Sequence, residues 1–116
     1  METAFAKGLA LLEAGEYFAA HEALEEAWRA AGADERDFFQ GLVHVAVAWY
    51  QAGRGRRVGC ERQLAKAARR LAPFAPEHRG VDVAAVLRQL EAARFPNLAP
   101  LVVPRQVRSQ TPDASG

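Results

Sequence analysis

Between Asp37 and Arg54 the chain runs for sixteen residues without an aspartate, glutamate, lysine or arginine. From Phe38 to Tyr50 this stretch is apolar, interrupted by Gln40 and His44. A membrane span needs about 20 consecutive apolar residues, so the run is too short for one. It reads instead as a helix that is apolar on nearly every side, and such a helix must lie at the centre of a domain with other elements packed round it. In 116 residues there is room for one core and one layer of cover. The fold class that follows is all-α, a single-domain bundle of about five helices in antiparallel hairpins.

The flanking segments supply the cover. Phe5, Leu9 and Leu12 recur at helical spacing and predict a first helix over about 3–14, stopped at Ala14-Gly15. Tyr17, Phe18, Ala20, Leu24, Ala27 and Trp28 predict a second over 17–31, ending at Gly32. Asp34 is the expected N-cap of the central helix, which runs to about Ala52. Gly53-Arg54-Gly55 breaks the chain, and a fourth helix is expected over 56–72. Cys60, Leu64, Ala67, Ala68 and Leu71 line its buried stripe, with Arg62, Lys66, Arg69 and Arg70 opposite. Pro73 and Pro76 end it; Asp82 caps a fifth helix that runs to about Ala93. On this reading the helical domain occupies 1–95. Four prolines from Pro96 onward then exclude a helix. Residues 96–108 are read as an extended apolar tail on the domain or on a partner subunit, and 109–116 as disordered. The two halves echo each other as helical hairpins, with Gly15 and Gly53 thirty-eight residues apart. No tetratricopeptide signature accompanies the echo, so it is hairpin architecture and not a repeat family.

Charge is unevenly placed. Met1–Asp37 holds nine acids and three bases, whereas Arg54–Arg79 holds eight bases and two acids, in a chain of net charge +1. Either the halves neutralise each other within or between subunits, or the basic segment faces an anionic partner. Nucleic acid is disfavoured by the near-neutral total and by the lack of aromatics along the basic stripe. The lone Cys60 fits a reducing, cytoplasmic setting, and no secretory signal is evident at the start.

One polar constellation stands out. Phe18, His21, Glu25 and Trp28 are spaced three, four and three apart, setting an imidazole and a carboxylate between two aromatics at the edge of the apolar stripe. Gln40, His44, Val47 and Gln51 share a stripe of the central helix. Buried polar groups need partners, so the simplest arrangement has His21 and Glu25 meeting Gln40 and His44 across the interface of the second and third helices. The candidate binding set is His21, Glu22, Glu25, Trp28, Gln40 and His44. It can be a structural network, a ligand or partner pocket, or a catalytic centre. In the last case His21, Glu25 and His44 give the two-histidine, one-carboxylate set of a catalytic zinc. His78, in a proline-bounded loop, is read as solvated, and Trp28 and Trp49 as core.

These residues carry a resemblance. The run Gly15–Trp28 with its His-Glu-x-x-Glu-x-x-Trp motif (His21, Glu22, Glu25, Trp28), the Asp37–Leu42 segment, Arg54-Gly55, Gly59 and Gly80-Val81-Asp82 resemble the small helical family catalogued as domain of unknown function 309. The likeness covers roughly residues 8–95. It departs from that pattern at His44, where Gln is usual, at Gln51, where His is common, and at Arg56, where Asn is common. The resemblance implies an all-helical fold and brings no established activity, cofactor or catalytic residue. The function expected is a cytoplasmic, self-associating interaction module, a homodimer with a protein or small-molecule partner, without catalysis or cofactor. The alternative is a metal-dependent, hydrolase-like enzyme holding zinc or iron at His21, Glu25 and His44.

Overall fold

The computed structural model describes residues 2–105. Five helices follow in chain order: α1 (Glu2–Glu13), α2 (Tyr17–Ala30), α3 (Ala33–Gly53), α4 (Arg57–Leu71) and α5 (Val83–Ala92). A 3₁₀ turn (Ala72–Phe74) and a hairpin of two-residue strands, β1 (Glu77–His78) and β2 (Val81–Asp82), join α4 to α5. The segment 109–116, expected to be disordered, lies outside the described residues, as does the end of the tail, 106–108. No helix among the described residues is long and apolar enough to cross a membrane.

The uncharged run forms α3, and its neighbours wrap it as its composition demands. α1 packs on α2, α2 on α3 and α3 on α4. Phe38, Phe39, Val45, Ala46 and Ala48 of α3 are wholly buried. Phe5, Phe38, Phe39 and Phe74 meet ring to ring, with centroids 5.3 to 6.0 Å apart. Two glycines permit the closest approaches. A β-carbon at Gly8 would lie 2.6 Å from the Leu24 side chain, and one at Gly41 would lie 2.7 Å from that of Leu71. α3 therefore presses tightly on α4 at Gly41, which fixes how α3 is rotated about its own axis.

The two helical hairpins close alike. After α1, Gly15 takes a φ of +80° and the Glu16 amide donates to the Leu11 carbonyl; after α3, Gly55 takes +73° and the Arg56 amide donates to the Gln51 carbonyl. Only glycine adopts this left-handed conformation without penalty. The partner of Gly15 in the echo is thus Gly55, and Gly53, which the sequence suggested, is still helical. The cap of α3 also differs from expectation: Gly32 occupies it, with Asp34 in the first turn, where a carboxylate still meets the positive end of the helix dipole. Asp82 caps α5 as expected, its Oδ1 accepting from the Ala85 amide at 2.9 Å.

Beyond α5 the extended tail turns back over its own domain. Leu101 and Val103 are buried, the Trp49 indole donates to the Ala99 carbonyl at 2.9 Å, and Gln89 holds both the amide and the carbonyl of Val102. The Val103 amide donates to Glu13 at 2.7 Å, and the Pro104 carbonyl accepts from the Asp82 amide beside β2.

Candidate functional site

α2 lays Phe18, His21, Glu25 and Trp28 along one edge, as their spacing requires. His21, Glu25 and Trp28 are half-buried, and Phe18 is 50% exposed. The His21 Nδ1 lies 3.1 Å from the Phe18 carbonyl oxygen, which can only accept, so Nδ1 carries the proton. Nε2 then faces the Glu25 carboxylate at 3.6 Å. Arg29 is Glu25's other neighbour, at 3.9 Å. The Trp28 ring lies under the Arg36 guanidinium at 5.0 Å, with its Nε1 buried and unpartnered among the described residues. Glu22 points into solvent.

The expected meeting of His21 and Glu25 with Gln40 and His44 does not occur. His44 turns to α4, where its Nδ1 lies 2.7 Å from Gln63 Oε1. Gln40, half-buried, has no side-chain hydrogen bond among the described residues. The reason is the close crossing at Gly41. Gly41 against Leu71, His44 against Gln63 and Gln51 against Gly59 form one stripe of α3, and the tight contact turns it into α4. Val47 and Tyr50 face α2 instead. His21, Glu25 and His44 are consequently not brought together, and among the described residues no three His, Cys, Asp or Glu side chains form a group that could hold a metal ion.

What the structure does assemble is a pocket of about 190 Å³ lined by Phe18, His21, Val47, Tyr50 and Gln51. The Phe18 ring stands 5.3 Å from that of Tyr50 and 5.2 Å from the His21 imidazole. Tyr50 was missed in the sequence because it reads as one more apolar residue of a central helix. Gln63 was missed although a signal existed: it is a polar side chain beside the apolar stripe of α4, and such a group needs a partner.

The electrostatics differ on the two sides of α3. Burial lowers the pKa of His44, and the nearby Lys66, Arg70 and Arg69 lower it further against the opposing Gln63 hydrogen bond. Cys60 is wholly buried, and that burial raises its thiol pKa, with Glu61 adding to the effect, so it is no nucleophile.

A second polar cluster lies at the far end of α3. His78, read as solvated from the sequence, is held in β1 with its Nε2 3.0 Å from Glu35 Oε1, between the Phe38 and Phe74 rings. Arg79 Nε donates to the same oxygen at 2.8 Å, and its guanidinium covers Phe39. Burial raises the Glu35 pKa, but the hydrogen bonds and charges of Arg79 and His78 outweigh it and leave the carboxyl below its ordinary value. The cluster ties the β-hairpin to the start of α3, and we read it as structural.

No curated protein matches the chain. A family model described as "Domain of unknown function (DUF309)" matches residues 5–63, just over half of the chain. The match spans α1 to α3 and the first two turns of α4, so it holds every residue of the pocket together with Glu25, Trp28, Gln40, His44 and Gln63. It stops short of Gly80-Val81-Asp82, where the sequence resemblance had extended. Over the elements that build this site, the chain belongs to the domain of unknown function 309 family.

Proposed function

We propose that this domain is a cytosolic, self-associating interaction module whose contact surfaces are the exposed faces of α2 and α4. The observation that carries this is charge left uncompensated within the chain. The acidic first third and the basic segment meet through Asp37–Arg70 at 2.6 Å and through Glu35 with Arg79 and His78. Arg62, Lys66 and Arg69 on α4, and Glu22 and Glu26 on α2, are exposed and have no ion-pair partner among the described residues. α2 and α4 each pack on α3. A two-fold axis parallel to α3 and outside the protomer would set α2 of one protomer over α4 of the other, twice. Two exposed apolar side chains, Phe18 on α2 and Val58 on α4, supply apolar area at that face.

Light scattering at low and high salt is the test. Exposed pairs are screened beyond about 8 Å at physiological ionic strength, so the dimer should weaken as salt rises. Arg62→Glu/Arg69→Glu should dissociate it, and adding Glu22→Lys/Glu26→Lys should restore it. A monomer under all conditions would refute self-association, and a dimer indifferent to salt and charge reversal would refute its electrostatic basis. The alternative is a metal-dependent enzyme with zinc or iron at His21, Glu25 and His44, and it would need His44 to turn from Gln63. About one zinc or iron per chain, measured on untagged protein and lost in His21→Ala, would favour it.

A further inference from the structure

The edge of α2 sets the His21 Nε2 3.6 Å from the Glu25 carboxylate. Because Nδ1 of His21 is committed to the Phe18 carbonyl, the neutral ring presents only a lone pair at Nε2. Glu25 Oε2, 3.6 Å away, is an acceptor as well. Two acceptors at that distance gain nothing from each other and are joined by a donor placed between them. One turn away along α2 is the pocket of about 190 Å³, walled by the Phe18 and Tyr50 rings and by Val47. Apart from the Gln51 amide its walls are apolar or aromatic, and no lysine or arginine lines it. Arg54 borders it on the Tyr50 side, donating to the Tyr50 hydroxyl at 3.0 Å with its guanidinium 5.7 Å from that ring's centroid, so the ammonium is placed at the His21–Glu25 end. Phe18 is 50% exposed at the mouth, so its ring is open to a ligand that enters.

We infer that this edge binds an alkylammonium group, its nitrogen bridging His21 Nε2 and the Glu25 carboxylate and its hydrocarbon entering the cup between Phe18 and Tyr50. The chemistry is matched at both ends. An ammonium is a pure donor with three N–H groups and meets two acceptors, and aromatic faces attract a cation and its adjoining methylenes. A metal ion fits less well, because two ligands fall short of the three protein ligands of a catalytic zinc. A short chain fills the volume, and the group can come from a free amine or from a lysine side chain on a partner. The site is built within one protomer, and because Phe18 also lies on the face proposed for self-association, the two are tested apart by salt.

The experiment is an NMR titration of the full chain with n-butylammonium chloride at mildly alkaline pH. It is run at low and high salt so that any dimer is present in one arm and dissociated in the other. Saturable shifts at Phe18, His21, Tyr50 and Gln51 are expected. Glu25→Gln, at a half-exposed position and with its fold checked by circular dichroism, should weaken binding by about tenfold or more, the loss of one charge-assisted hydrogen bond. Phe18→Ala should weaken it through the cup. n-Butanol and butyrate should not compete. A blocked lysine tests the source: if it binds as well, the site accepts a side chain carried on a backbone, and if only the free amine binds, the ligand is a small molecule. Absence of saturable shifts at both salts overturns the inference, as does equal binding of butyrate or unchanged affinity in Glu25→Gln. The oligomeric state of each variant is read separately by light scattering.

Discussion

His44 is the residue at which location has the clearest thermodynamic consequence. In the unfolded chain its imidazole titrates near 6.5; in the folded protein burial beside Lys66, Arg69 and Arg70 lowers that value. Between the two values the unfolded chain binds more protons than the folded one, so stability falls as pH drops below 6.5. His44→Gln replaces the titrating group with an amide that can still pair with Gln63. Denaturant midpoints measured from about pH 7.5 to about pH 5.5 should therefore fall less in the variant than in wild type. His21 and His78 are present in both proteins and cancel in the comparison. Glu35 acts in a lower window: its folded value lies below 4.5, so the stability it contributes is intact above that and lost as pH falls through the folded value. Parallel profiles for the two proteins would mean that His44 takes up its proton equally in both states.

At the scale of elements, what decides the site is how α3 is turned, and Gly41 controls that. A methyl group there would meet Leu71 at 2.7 Å and the Arg70 β-carbon at 3.2 Å, between two packed helices with little room to part. Gly41→Ala should cost about 1–3 kcal/mol despite the better helix propensity of alanine. Gly53→Ala, with nothing within 4 Å of the added carbon, should be neutral or slightly stabilising. Equal effects in thermal melts would show that the close approach is not what sets the α3–α4 contact. The same crossing explains how far the sequence could be read. Periodicity and breaking residues placed all five helices to within a residue or two, because each buries a stripe with a period near 3.6. The stripe of Phe18, His21, Glu25 and Trp28 was legible for the same reason. Which stripe of α3 would face α2 was not, because a helix apolar all round carries no sidedness of its own. The rotation comes from a glycine contact between residues thirty apart. The β-hairpin was hidden for a related reason: strands of two residues have no pattern, and Glu35, Phe38 and Phe74 hold His78 and Arg79 in place from outside it.

For the whole molecule, the tail from Phe95 to Arg105 is the feature whose role local pattern left open between its own domain and a neighbour. In the structure it closes the bundle that carries it, reaching α1 through Glu13, α3 through Trp49, α5 through Gln89 and the hairpin through Asp82. Those contacts join the first helix to the last, so the tail resists separation of elements that local packing alone would leave weakly coupled. Leu101 is the anchor, 3% exposed. Leu101→Ala removes a buried side chain and leaves a cavity, at a cost of about 2–5 kcal/mol. Val102→Ala, at a position 54% exposed, is the control and should change little. Because the anchor seats on its own chain, the Leu101 variant should melt earlier without any change in the association state seen by light scattering, while charge reversal on α4 should do the opposite. A Leu101→Ala variant that dissociates before it unfolds would mean that the tail spans two protomers in solution, and the subunit contact would then have to be assigned to the tail and not to α2 and α4.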